Sequence, residues 1–232
     1  MIVNVDGNDV QVATGGNPSA DTDRPALVLL HGAGMDGTAW QLQTRWLAHH
    51  GVRPFALDLP GHGRSGGEPL TSIEDLADWT ARFLDAADLA TAHVAGHSMG
   101  TFIALELAAR HPDRVTSLTL LATAEGMPVH PELLTSAADD LPRAAALMAS
   151  WGHGPSAQTG PNPTPGLSMV GGARALVEAS PAGALAIDFA ACAAYGRATE
   201  AIAEVRCPVQ VVAGRNDKMT PARSASALIE HV

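Results

Sequence analysis

Apolar and polar residues alternate over positions 2–5 and again over 10–13, on either side of Asp6-Gly7-Asn8. A period of two interrupted by turn-forming residues predicts an antiparallel hairpin at a sheet edge. The pattern then changes. Positions 26–30 and 52–57 are short, mostly apolar runs bounded by Pro or Gly, and 38–49 between them places Trp40, Leu42, Trp46 and Leu47 at helical spacing. Positions 72–87 predict a second helix, with Ser72 as its cap and Asp75 at the third helical position. A strand over 92–95, a helix over 99–110 ended by Pro112 and a strand over 115–121 follow. Continuous apolar strands alternating with amphipathic helices predict an α/β fold, a mostly parallel central sheet with helices on both faces.

After Leu121 the rhythm is lost. Positions 126–206 hold helical pieces around 132–138, 143–151, 173–179 and 182–195 and no clear strand, which reads as an inserted helical cap. Within it, 152–172 is dense in Gly, Pro, Ser and Thr, so a loop without regular helix is expected there, placed to gate a pocket. The core returns with a strand over 208–213 and a helix opened by Pro221. The expected division is therefore a core of 1–125 and 207–232 and a cap of 126–206.

Composition narrows what such a fold can do. The 232 residues are 46% hydrophobic, 16% charged and only 4% aromatic, which suits one domain with an aliphatic interior. A net charge of −10 repels phosphate backbones and anionic lipid, so neither nucleic acid nor a membrane is an expected partner. Positions 1–12 lack the basic start and apolar core of a leader, and the longest weakly polar run, 182–195, is interrupted by Asp188 and too short to cross a bilayer. A soluble cytoplasmic protein is expected, monomeric or homodimeric. Cys192 and Cys207 have neither the number nor the spacing of a disulfide framework or a zinc site, and both read as small buried hydrophobes. No metal and no cofactor are expected.

The chemistry concentrates where strands give way to helices. Gly96-His97-Ser98-Met99-Gly100 lies between the strand at 92–95 and the helix at 99–110, a G-x-S-x-G arrangement. A serine raised above a sheet on so sharp a turn sits in strained backbone. The chain two residues to either side then passes too close to its neighbours for a Cβ, which accounts for both glycines. The helix that starts at the serine aims its free N–H groups and positive dipole end at an oxyanion. The competing reading is an ordinary strand-to-helix turn with a chance serine. His31-Gly32-Ala33-Gly34 follows the strand at 26–30; small residues let amides turn toward a pocket, and Ala33 N–H with Met99 N–H would make a pair of oxyanion donors. Alone, this segment is equally a glycine-rich turn, and His31 reads as structural. After the last strand, Asp217 in Gly214-Arg215-Asn216-Asp217-Lys218-Met219-Thr220-Pro221 either orients an imidazole or forms a turn.

These segments, together with DLPGHGRSGG at 58–67, occur in an order that resembles the α/β-hydrolase superfamily over nearly the whole chain, and GHSMG is most similar to esterases and monoacylglycerol lipases. The resemblance implies Ser98 as nucleophile, Asp217 as acid, and Ala33 and Met99 as oxyanion donors. It gives His62 a structural place in a loop near the pocket, and Thr101 departs from the second glycine many relatives carry. It also implies a base histidine after one further strand, at least ~20 residues beyond Asp217 once a helix and strand intervene. Val232 comes too early for that, so His231 is not assigned as the base, and the sequence reads as lacking the last strand, the histidine loop and the final helix. The implied activity is a cofactor-free serine hydrolase acting on a small or medium carboxylic ester. A C–C bond hydrolase, a lactonase and a cofactor-free haloperoxidase use the same elbow, and a non-catalytic binding protein on this scaffold is the rival from another class.

Overall fold

The computed structural model describes residues 1–16, 23–159 and 166–231. Among them, seven strands form one sheet in the order β1-β2-β4-β3-β5-β6-β7. β1 (Ile2–Val5) and β2 (Asn8–Ala13) are the antiparallel edge hairpin. Its turn is Asp6-Gly7, both at positive φ, the pairing that lets a two-residue loop match the strand twist. β3 (Ala26–Leu30), β4 (Arg53–Leu57), β5 (Ala92–His97), β6 (Val115–Leu121) and β7 (Val209–Val212) run parallel.

Because successive side chains leave a strand on opposite faces, the apolar runs feed two cores. Val28, Leu30, Phe55, Leu57 and Val94 belong to the larger one, covered by α2 (Ile73–Ala86), α3 (Met99–Arg110) and α9 (Ala198–Glu204). Leu29, Ala56 and Ala95 join Trp40 in the smaller one, beneath a 3-10 turn at Gly37–Trp40 and α1 (Gln41–Ala48). Helices thus cover both faces, as the alternation predicts. Ser72 caps α2 by accepting from Asp75 N–H at 3.1 Å, the local reason that helix starts where it does. Glu106, fully buried on α3, accepts from Tyr195 Oη at 2.9 Å and Arg197 Nε at 3.1 Å and so anchors the start of α9.

Between β6 and β7 lie α4 (Pro131–Asp139), α5 (Leu141–Gly152), α6 (Pro155–Thr159), α7 (Met169–Glu178), α8 (Ala184–Ala194) and α9. The stretch 152–172, expected to hold no regular helix, contains α6 and the start of α7, and its positions 160–165 lie outside the described residues. Local capping overrides composition here. Pro155 opens α6, where a missing N–H costs nothing, and Ser168 caps α7 by accepting from Gly171 N–H at 3.0 Å. The helix expected after Pro221 is a 3-10 turn at Ala222–Ala225 followed by the short α10 (Ser226–Ile229). Cys192 is buried as expected, whereas Cys207 is only partly so. No helix of the described residues is long and apolar enough to cross a membrane.

Candidate active site

Parallel strands place their following loops at one end of the sheet. The turns after β3, β4, β5 and β7 therefore converge there, and with them the segments that carry the chemistry. Ser98 stands between β5 and α3 at φ 53°, ψ −120°, a backbone conformation that L side chains rarely adopt. Its N–H donates to Leu121 O at 3.0 Å, fixing the bend to the end of β6. A Cβ on Gly96 would fall 2.0 Å from Gly100 O, and one on Gly100 2.4 Å from Leu30 O. Only glycine fits either position. Thr101 does more than fill space: its Oγ1 donates to Ser98 O at 2.6 Å.

Ser98 is partly accessible, and Met99, the first residue of α3, has an N–H that no intrahelical acceptor can reach. Ala33 is buried in the turn after β3, and among the described residues its N–H makes no hydrogen bond. The neighbouring side chain that shapes this turn is His31. Its Nε2 accepts from Leu59 N–H at 3.1 Å, which leaves the ring proton on Nδ1, 2.9 Å from Gly32 O. Burial is the main cause that pushes its pKa down to about 4, so His31 is a neutral strut between two loops.

Asp217 accepts from Met219 N–H at 2.8 Å, Thr220 N–H at 3.1 Å and Thr220 Oγ1 at 2.8 Å. The turn holds its carboxylate in place with acceptor capacity left for one more donor. The end of α5 leans on this loop, with Lys218 N–H donating to Trp151 O at 3.0 Å. His97, beside the nucleophile, turns its ring edge-on to Trp40 at 6.5 Å; burial lowers its pKa, against the pull of the Asp217 charge. Among the described residues no histidine hydrogen-bonds Ser98 or Asp217. His130 caps α4, His153 Nδ1 faces Ala149 O, and His231 closes the turn after α10 through its backbone. No group of three or more His, Cys, Asp or Glu side chains there is placed to hold a metal ion.

The family model described as the alpha/beta hydrolase fold matches residues 25–164. The chain belongs to the α/β-hydrolase-fold family. It is similar to a putative non-heme haloperoxidase of Mycobacterium phage D29, 43% identical over 130 residues that make up 56% of this chain and 45% of that protein. It is also similar to a pimeloyl-[acyl-carrier protein] methyl ester esterase of Aromatoleum aromaticum, 32% identical over 224 residues, 89% of this chain and 85% of that one. The first curated relatives are matched over only 26% to 45% of their length. An enol-lactonase of Burkholderia xenovorans LB400 shares the fold, with a TM-score of 0.85 at 22% identity, covering 100% of this chain and 87% of that one.

Within this α/β-hydrolase fold, sequence reasoning found no partner for one buried carboxylate beside the turn after β3. Asp188 on α8, 1% exposed, accepts from Gly34 N–H at 2.8 Å and faces His62 Nε2 at 2.9 Å. The available signal was its place as the only charge in an apolar helix, since a carboxylate is almost never buried without dedicated partners.

Proposed function

We propose that this protein is a cofactor-free serine hydrolase that cleaves a small or medium carboxylic ester through an acyl-enzyme on Ser98. Ser98 Oγ attacks the ester carbonyl carbon, and the resulting oxyanion is received by Met99 N–H and Ala33 N–H. Collapse expels the alcohol, and water then releases the acid. In this reading Asp217 is the acid placed to orient the Nδ1–H of a base imidazole, which would take the serine proton and return it to the leaving alcohol; no histidine of the described residues stands there. Residues 126–206 act as the cap over the acyl pocket, with α9 seated on α3.

The observation that carries the reading is the strained backbone of Ser98 at the N-terminus of α3. Strain of this kind persists only where the surrounding structure holds it, and it clusters at sites that use it. The ester class is supported by the Aromatoleum relative, whose name is that of a methyl ester esterase. A fluorophosphonate probe, with free imidazole supplied as the base, should label the protein, and Ser98→Ala should abolish the label. A non-catalytic binding role is the second reading, favoured by the lack of any histidine contact to Ser98 or Asp217 among the described residues. Absence of labelling decides for it.

A further inference from the structure

Asp188 and His62 form an ion pair with both side chains 1% exposed. His62 Nδ1 lies 2.9 Å from Pro60 O and Nε2 lies 2.9 Å from Asp188 Oδ2. Both ring nitrogens face oxygens, an arrangement that an imidazolium beside an ionised Asp188 satisfies at both ends. Such a pair is a poor source of stability, because two charges taken out of water cost more than an apolar pair of the same volume. Its geometry points to another use. The same Asp188 oxygen accepts Gly34 N–H, and Leu185, one turn earlier on α8, fills the space a Cβ at Gly34 would take. Gly34 N–H is thereby committed to Asp188.

We propose that Asp188 is a positioning residue, whose carboxylate, held by His62, clamps Gly34 and so aims Ala33 N–H at the oxyanion. This rests on the serine hydrolase reading for its consequence and on the contacts above for its geometry. The charged and titratable groups around the pair are His31, whose ring centroid is 5.1 Å from that of His62, Asp58 and Asp36 on the loops beside it, Arg64, and Cys192 on α8. Burial works to lower the His62 pKa; the Asp188 hydrogen bond and charge, the Pro60 carbonyl and the Asp58 charge outweigh it and hold it above the ordinary value. The clamp is therefore complete at lower pH and loosens as pH rises through that raised value, when one ring nitrogen loses its proton in front of an acceptor.

The test compares wild type, Asp188→Ala and Asp188→Asn by fluorophosphonate labelling rate across pH, with hydrogen exchange of the Gly34 amide as a readout independent of Ser98. Asp188→Asn, with its amide oxygen in the place of Oδ2, still accepts from Gly34 N–H and from His62 Nε2–H but lacks the charge that holds a second proton on the ring, and it guards against a variant that merely fails to fold. Asp188→Ala should lower the rate about tenfold or more, less than or comparable to loss of one oxyanion donor, and should release Gly34 to exchange. Asp188→Asn should stay within about threefold at neutral pH, and the wild-type to Asn ratio should fall as pH rises. Equal rates in all three proteins, a pH-independent ratio or an unchanged Gly34 amide overturns the clamp. No labelling of wild type, with Gly34 protection lost in Asp188→Ala, overturns the hydrolase reading and leaves the clamp standing.

Discussion

At the scale of the single residue, the elbow concentrates its cost on Ser98. A non-glycine residue at φ 53°, ψ −120° carries strain of about 1–3 kcal/mol, and glycine occupies that region without a Cβ penalty. Ser98→Gly should therefore raise stability by about 1 kcal/mol, after allowance for the extra freedom glycine gives the unfolded chain, while removing the nucleophile. Ser98→Ala keeps the Cβ and should leave stability near wild type. Urea midpoints of the three proteins test this. A glycine variant less stable than wild type would mean that the bend stores no strain. Both flanking glycines and the serine were legible in the sequence, because an elbow is built from five consecutive residues and its sterics are local.

At the scale of the element, α2 and α3 are joined at one end by Asp78. It accepts from Arg110 Nε at 3.1 Å and Nη2 at 2.6 Å and faces His111 Nε2 at 2.7 Å. The Arg110 hydrogen bonds are the main cause that holds its pKa at about 2, below the ordinary 3.8. A depressed carboxylate stabilises the fold above its unfolded value and loses that contribution as pH falls from near 3.8 through 2. Asp78 is about a third exposed, so solvent screens the effect and it will be small. Asp78→Asn should flatten the loss of stability over that acid window and change little at neutral pH, as measured by urea unfolding at a series of pH values. The helices themselves were legible from periodicity and caps such as Ser72. The helices α6 and early α7 were not, because Pro155 and the Ser168 cap act against a composition that reads as loop.

At the scale of the whole molecule, the sheet has two edges of unlike character. The β1 edge is an antiparallel hairpin that exposes Ile2 at 62% and whose turn residue Asp6 is paired with Arg82 Nε at 2.8 Å. The β7 edge presents Val212 at 44% exposure. An exposed apolar edge strand is a template for pairing with another chain, and a charge placed on it opposes that pairing. Val212→Lys should reduce self-association of this 232-residue chain, read by light scattering against concentration, with no change in fluorophosphonate labelling. Equal scattering from both proteins would show that β7 does not mediate association.

By itself the sequence determined the strands, most helices, the hairpin turn and the elbow, because each rests on residues within one or two turns of chain: alternation, caps, and glycines where a Cβ has no room. Tertiary structure alone decided what Asp188 does. It meets His62 across 126 positions and Gly34 across 154, and no local rule relates residues that far apart. Only the closing of the α8 segment over the turns after β3 and β4 brings the carboxylate, the imidazole and the amide within hydrogen-bond reach, and burial there converts an interruption in an apolar helix into a charge with defined partners.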